Sequence, residues 1–415
     1  MASRAPAAKQ RRKLEIVDAG TSLIGDKGYG RTTMDDIAAA AGVTKRTLYR
    51  YVPSKQDILP MIHERFQEAA DALIPADPED ADPVELLTSF VGSYVSVVVA
   101  HQDAVRVFFE EEYNLTPAAR ARIVARRDAF EARFRDLVRR GRAEGRFRQC
   151  DERVVAAGVF GALASIYRWY SPTGRLGVAE LSEQMSALVL HGLRAPDPGA
   201  AAPVAPMPRE AADDLADLPG PPPARVPPAV LAAAVHLFAT QGYLETNTRE
   251  IADEAGVTKS GLFYHIGSKD ELLYAIHHRF ATECVSNLRE WTAQTPGPGD
   301  AAARLRILVV EHSRVIGDQP ELVRVFNDQA RYLDPTRRAS VKAMRARYVD
   351  GFARLVRDGI ADGTFRDAEP KVTALAVLGM LNSMSRWYRP DGRLAAPRIG
   401  EMFADLVIDG LAVPA

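Results

Sequence analysis

TTMDDIAAAAGVTKRTLYRYVPSK, from Thr32 to Lys55, decides the fold. Thr33 stands where a helix N-cap is needed, with Asp36 as its capping-box partner, and a helix through Ile37 and Ala41 stops at Gly42, a residue suited to positive φ in a tight turn. Val43 is the apolar pivot. Thr44 then caps a second short helix, TKRTLYRY, which presents Lys45, Arg46, Thr47, Tyr49 and Arg50 around an inward Leu48. Two helices joined by so short a turn make a unit that can lay a helix into a groove roughly 12 Å wide, the major groove of DNA.

Nearly the same stretch returns at Thr246 to Lys269. Aligned without a gap, Gly28–Leu59 and Gly242–Leu273 share 14 identities in 32 positions, at an offset of 214. Farther along, RWYSPTGRL at Arg168–Leu176 matches RWYRPDGRL at Arg386–Leu394 at an offset of 218. The motif order is conserved between the copies, so the chain is a duplicated two-part unit, with a period too long for a solenoid array.

Between the copies, Ala195–Pro228 holds eleven prolines and little that can form a core, and reads as a linker. The acidic patch REAADDLADL within it is short enough for a helical turn or two. Each unit reads as entirely helical, and the fold class is all-α. Apolar residues recur at helical spacing through Leu14, Val17 and Leu23, and through Leu231, Val235, Leu237 and Phe238. Ser54 with Asp57, and Ser268 with Glu271, predict capping boxes at the start of long helices running to Leu73 and Trp291. Further helices are expected over 84–100, 118–141, 151–170 and 178–193, with equivalents in the second unit. The resulting division is a basic arm over 1–13, a first head over 14–60, a first body over 61–194, the linker over 195–228, a second head over 229–274 and a second body over 275–415.

Composition removes several rivals. A net charge of −1 over 415 residues makes any nucleic-acid surface local. MASRAPAAKQRRK has charge but no apolar segment behind it, so no secretory signal is expected. The apolar run Tyr94–Ala100 is far short of the roughly 20 residues of a spanning helix. Cys150 and Cys284 are too distant in sequence to suggest a metal cluster or disulfide framework, and a reducing cytoplasm fits. No nucleophile elbow, zinc-helix motif or phosphate-cradling glycine loop is present, so neither enzyme, cofactor nor metal is expected. His277 and His278 are adjacent and so point to different helix faces, while lone histidines such as His101 and His312 read as buried, satisfied side chains.

GVTKRTLYRYVPSKQDIL resembles the signature of the tetracycline-repressor family of bacterial transcriptional regulators, and GVTKSGLFYHIGSKDELL is a second, looser instance. The resemblance implies a helix-turn-helix head and a body that binds a small molecule, whose arrival releases the protein from operator DNA. It assigns base or phosphate contact to Thr44, Lys45, Arg46, Thr47, Tyr49, Arg50 and Tyr51, with Thr33 and Lys55 on backbone phosphates. In the second head the same positions are Thr258, Lys259, Ser260, Gly261, Phe263, Tyr264, His265 and Lys269. Arginine offers a bidentate fork to guanine, while hydroxyls and lysines suit phosphates. Two cations and the Tyr49 hydroxyl are therefore lost from the second head, and Gly261 weakens its helix by about 1 kcal/mol relative to alanine. Arg4, Lys9, Arg11, Arg12 and Lys13 precede the first head and suit a minor-groove arm or a solvated tail, whereas PGPPPARVPP precedes the second. An asymmetric operator is expected.

In the bodies, small residues through Ala156, Gly158, Gly161 and Ala164, and again through Ala374–Leu381, allow close helix approach. The resemblance makes the last two helices of each unit a four-helix bundle, so the halves are expected to pair within one chain, with a homodimer as the alternative. RWYxPxGRL resembles a branch of the family that answers to acyl-coenzyme A thioesters, which implies a ligand at Arg168, Trp169 and Tyr170 and at Asn382, Arg386, Trp387 and Tyr388. Those tryptophans and tyrosines equally suit the sealing of a core. Glu110, Glu111 and Glu112 after Phe108 and Phe109, against Asn327 and Asp328 after Phe326, suit the lining of a pocket but read first as a solvated face. A ligand-independent architectural DNA-binding protein is the alternative reading of the whole.

Overall fold

The computed structural model describes residues 4–73, 81–195, 223, 225–293 and 301–413. Residues 196–222, which include the acidic patch and most of the proline-rich linker, lie outside them. Among the described residues the regular elements are all helical, and pairing of strand type is limited to the single bridges Phe147–Arg194 and Phe365–Ala412. The first unit runs α1 (Arg4–Lys27), α2 (Met34–Ala40), α3 (Lys45–Tyr51), α4 (Lys55–Leu73), α5 (Pro83–Ala100), α6 (Gln102–Glu110), α7 (Pro117–Ala143), α8 (Glu152–Trp169) and α9 (Val178–Leu193). The second repeats the order: α10 (Pro228–Gln241), α11 (Thr248–Glu254), α12 (Lys259–Ile266), α13 (Lys269–Ala293), α14 (Ala301–Asp318), α15 (Pro320–Asp328), α16 (Pro335–Ala361), α17 (Pro370–Trp387) and α18 (Ala396–Leu411).

Local chemistry sets most of these ends. The Thr33 hydroxyl accepts the Asp36 N–H at 3.1 Å while the Asp36 carboxylate accepts the Thr33 N–H at 2.8 Å, and Asn247 with Glu250 repeats the arrangement at α11. Asp82, Thr116, Asp151 and Asp334 cap α5, α7, α8 and α16, three of them with proline in the first turn. Gly42 and Gly256 turn the chain between the paired head helices at φ 62° and 66°.

Two features differ from the sequence reading. The basic arm is helical from Arg4, forming the first turns of α1, and Arg11 and Arg12 reach Glu15 at 3.4 and 2.8 Å. Alanine, glutamine, lysine and arginine are good helix formers, so a helix begun on the apolar face of Ile16, Val17 and Ile24 propagates back through them. The short helices α6 and α15, too brief for periodicity to declare, interrupt what reads as connecting chain. Helix α4 runs from Lys55 to Leu73 as the Ser54 and Asp57 pair leads one to expect, and so one helix serves both head and body across residue 60.

The bodies meet along α8 and α9 of the first unit and α17 and α18 of the second. Glycine permits this: a Cβ on Gly161 would lie 3.1 Å from the Gly379 carbonyl oxygen, and a Cβ on Gly379 would lie 3.1 Å from that of Gly161. Helix α5 is, by length and composition, apolar enough to cross a membrane. Its Leu87, Val91, Val95 and Val98 are instead buried within the body against α7, α8 and α9.

Candidate nucleic-acid interface and internal cavity

In the first head, Leu48 and Val52 are fully buried and fix the face that α3 turns inward. The Thr44 hydroxyl caps α3 by accepting the Thr47 N–H at 3.2 Å. What remains outward is Lys45, Arg46, Tyr49 and Arg50, all exposed, with Thr47 and Tyr51 half-buried beside them. Lys45 is 3.0 Å from Asp35, and the hydrogen bond to that carboxylate raises its pKa. Arg50 stacks 5.2 Å from the centre of the Tyr51 ring. The face is thus a patch of three cations, a phenol and hydroxyls on one short helix, fit for phosphates and base edges.

Two residues expected on phosphates are engaged within the head. Thr33 is the cap of α2, and the Lys55 ammonium donates to the Gly30 carbonyl at 3.3 Å and lies 4.2 Å from the Tyr29 ring centre. Lys269 does the same in the second head, donating to the Tyr243 and Thr246 carbonyls at 2.8 Å each. Burial lowers the pKa of both lysines.

The second head keeps the frame and changes the face. Thr258 caps α12 through the Gly261 N–H at 3.1 Å, and Leu262 and Ile266 are buried. Outward stand Lys259, Ser260, Phe263, Tyr264 and His265, with Gly261 half-buried. Tyr264 is 87% exposed and Phe263 39%, so this surface is aromatic where that of α3 is cationic. The heads touch through their entry loops, where a Cβ on Gly30 would lie 2.7 Å from Leu244 Cδ1.

Behind the heads, a cavity of about 1160 Å³ runs between the bodies and draws its wall from both. The first unit lines it with Tyr94, Phe130 and Phe160, the second with His312, Arg345 and Tyr348, and Gly161 and Gly379 form the seam. Of the expected ligand residues, Arg168, Trp169, Asn382, Arg386 and Trp387 lie on this wall. Tyr170 and Tyr388 are instead buried at the ends of α8 and α17, away from it. Both arginines are occupied: Arg168 donates to Asp328 at 2.7 Å and to the Asn327 carbonyl, and Arg386 donates to Asp328 at 2.8 Å and to the Phe109 carbonyl. Each tryptophan N–H rests on a serine one turn back, Ser165 or Ser383.

The expectation of a solvated face at Glu110–Glu112 is wrong. Glu110 is 7% exposed and Glu111 fully buried, and Glu112 lines the cavity beside Arg120. Their cations come from elsewhere in the fold, notably Arg331, which sequence proximity does not reveal.

Sequence reasoning named Asn382 and read His312 as buried, but missed that the two join Tyr348 and Arg345 in a polar group at the second body's end of the cavity. His312 Nδ1 is 2.7 Å from the Tyr348 hydroxyl and its Nε2 3.5 Å from Asn382 Oδ1. Burial lowers the His312 pKa to about 4, so the neutral ring accepts from Tyr348 and faces Asn382 with its N–H. Burial, then the nearby Arg168, lowers the Arg345 guanidinium to about 10. That group donates to the Phe326 carbonyl and lies 4.0 Å from the Phe326 ring centre, and its buried Nε has no hydrogen-bond partner among the described residues. At the 218 offset the first body carries Tyr94, Phe130 and Ala164 where the second has His312, Tyr348 and Asn382. One signal was available: Arg345 stands four residues after Val341 and three before Tyr348, on the apolar stripe of α16.

Two family models each match the chain twice, once in each unit. The family model for bacterial regulatory proteins of the tetR family matches residues 16–61 and 230–276, and that for a tetracyclin repressor-like C-terminal domain matches 80–193 and 298–411. The chain is similar to the HTH-type transcriptional repressor KstR2 of Rhodococcus jostii (strain RHA1), 27% identical over 187 residues, or 45% of this chain and 90% of that protein. KstR2 of Mycobacterium tuberculosis (strain ATCC 25618 / H37Rv) is 28% identical over 44% of this chain and 90% of its own length. Among solved structures, the TetR family regulator PfmR from Thermus thermophilus is 29% identical over 44% of this chain and 99% of its own, with a TM-score of 0.41. AibR in complex with isovaleryl coenzyme A and operator DNA is 28% identical over 45% of this chain and all of its own, with a TM-score of 0.40.

Proposed function

The chain belongs to the tetR family of bacterial regulatory proteins, carrying both parts of that architecture twice, and from this premise we propose that it is a ligand-released repressor reading an asymmetric operator with two non-identical heads. The observation that carries the reading is the contrast between α3, with Lys45, Arg46 and Arg50 exposed, and α12, with Lys259, Tyr264 and His265. Guanidinium groups on α3 read guanine edges and neutralise phosphates, while α12 contributes stacking and hydroxyl contacts with one lysine. The first head supplies more of the affinity, and more of its salt dependence, because each neutralised phosphate releases counterions.

Pairing of the bodies within one chain sets the heads about one helical turn of DNA apart, roughly 34 Å. The effector occupies the cavity between the bodies. Apolar and aromatic walls with an incompletely bonded guanidinium at Arg345 suit a hydrophobic molecule bearing a carboxylate or phosphate, an acyl-coenzyme A among them. His312 and Asn382 offer a donor and an acceptor to its carbonyl or hydroxyl. Occupancy widens the seam between α8 and α17, and the continuous helices α4 and α13 carry that movement to the heads.

The test is DNA binding by fluorescence anisotropy on a fragment found by footprinting upstream of the neighbouring genes. Arg46→Ala and Arg50→Ala together are expected to weaken binding far more than Tyr264→Ala and His265→Ala, each lost arginine contact being worth roughly 1–3 kcal/mol. Equal losses from the two pairs would end the asymmetric reading.

A further inference from the structure

The halves meet at a buried cluster of charges that the duplication does not repeat. Asp328 lies between two guanidinium groups, Arg168 at 2.7 Å from the first half and Arg386 at 2.8 Å from its own. Arg331 of the second half meets Glu110 at 3.2 Å and Glu111 at 2.5 Å. Exposure of the carboxylate side chains is 8% at Glu110 and Asp328 and 0% at Glu111, and of Arg331 14%. Burial pushes the Glu111 carboxyl up even with Arg331 beside it, whereas Arg386 and Arg168 overcome burial at Asp328 and hold it below the usual range. Three carboxylates therefore face three guanidinium groups, and the balance crosses the seam.

At the 218 offset Glu110 answers to Asp328, Arg168 to Arg386, Glu111 to Gln329 and Tyr113 to Arg331. Only the last two exchanges alter charge, and both make the second half more positive than the first, so the cluster carries a net −1 from the first half and +1 from the second. Two first halves placed together would bury four carboxylates against two guanidinium groups. Two second halves would bury four guanidinium groups against two carboxylates. Either arrangement leaves an excess of two buried charges, which a low-dielectric interior strongly disfavours. Arg106 with Arg324, and Arg127 with Arg345, occur in both halves and leave the comparison unchanged. Glu112, replaced by Ala330, is paired within its own half to Arg120 at 3.0 Å.

We propose that this cluster makes the seam selective, so that a first half accepts a second half and rejects the like half of another copy of the chain. The inference rests on the pairing of halves proposed above, although a swapped dimer of unlike halves would obey the same rule. Asymmetric heads then stay in a fixed order on the operator, because a four-headed or rearranged assembly through like halves is excluded.

The test uses the full chain. D328E/Q329E/R331Y writes the first half's residues onto the second and is expected to lower the thermal midpoint by on the order of 5 °C. Adding E110Q and E111Q leaves two carboxylates against two guanidinium groups, and much of the loss is expected to return. A triple variant as stable as the native chain overturns the proposal, as does the absence of recovery in the quintuple variant. Should the triple variant not fold, folding regained in the quintuple variant supports the rule, and none regained overturns it. Light scattering on the native chain reads pairing in one chain separately: a mass twice 45.4 kDa with the expected melting pattern removes that pairing and leaves the charge rule standing.

Discussion

Arg345 and His312 show how residue chemistry is reset by burial. A guanidinium held to one carbonyl and one ring, and an imidazole held neutral between Tyr348 and Asn382, are ordinary residues in the sequence and specific groups only inside the cavity. Burial also lowers His63 to about 4 and His277 to about 3. An unfolded histidine takes up its proton near pH 6.5, so between that value and about 4 the unfolded chain binds protons that the folded chain refuses. Stability therefore falls as pH falls through this window, each buried histidine adding a slope of about 1.4 kcal/mol per pH unit. Glu111, raised by burial, works in the opposite direction. Scanning calorimetry from pH 7 to pH 5 is expected to show a falling midpoint, with a shallower fall in His63→Leu. An unchanged slope in that variant would show that His63 charges without penalty.

The helix ends at Thr33 and Thr44 were legible because caps are local, and Asn247 and Thr258 in the second head likewise satisfy N–H groups within three residues. Thr44→Ala, which removes the cap of α3, is expected to cost about 1 kcal/mol and to weaken DNA binding more than it lowers the midpoint of the whole chain. Melting and anisotropy on the same sample separate the two effects. The exchange of caps between the heads is neutral, since asparagine at 247 does the work of threonine at 33. Helices α6 and α15 were not legible, being nine residues each and ending on Glu110 and Asp328, whose arginine partners are far along the chain. The α8–α17 crossing was legible only as small residues. Its reciprocal approach makes Gly379→Leu a sharp probe, because a side chain there meets Ser165 and the Gly161 carbonyl. The expected result is a lower midpoint and a broadened or larger species by light scattering, and a native-like melt would mean the helices stand farther apart.

At the scale of the whole molecule, one cavity bounded by two bodies joins two heads whose entry loops touch. A native mass of 45.4 kDa in solution is the expected outcome of pairing within the chain, and a mass of about twice that value would remove it. Thermal-shift screening against acyl-coenzyme A thioesters and apolar carboxylates tests the cavity: a ligand at 100 times its dissociation constant stabilises by about 2.7 kcal/mol, and Arg345→Gln is expected to diminish the shift. The sequence by itself determined the duplication, the all-helical class, the paired head helices and the residues that α3 and α12 turn outward. All of these depend on caps, turns and periodicity within about twenty neighbouring residues. Tertiary structure alone decided that Glu110 and Glu111 are buried, that Arg168 and Arg386 share Asp328, and that Lys55 holds a loop. Those assignments depend on which distant side chain supplies the opposite charge or carbonyl, and burial sets their energy, so spacing along the chain does not encode them.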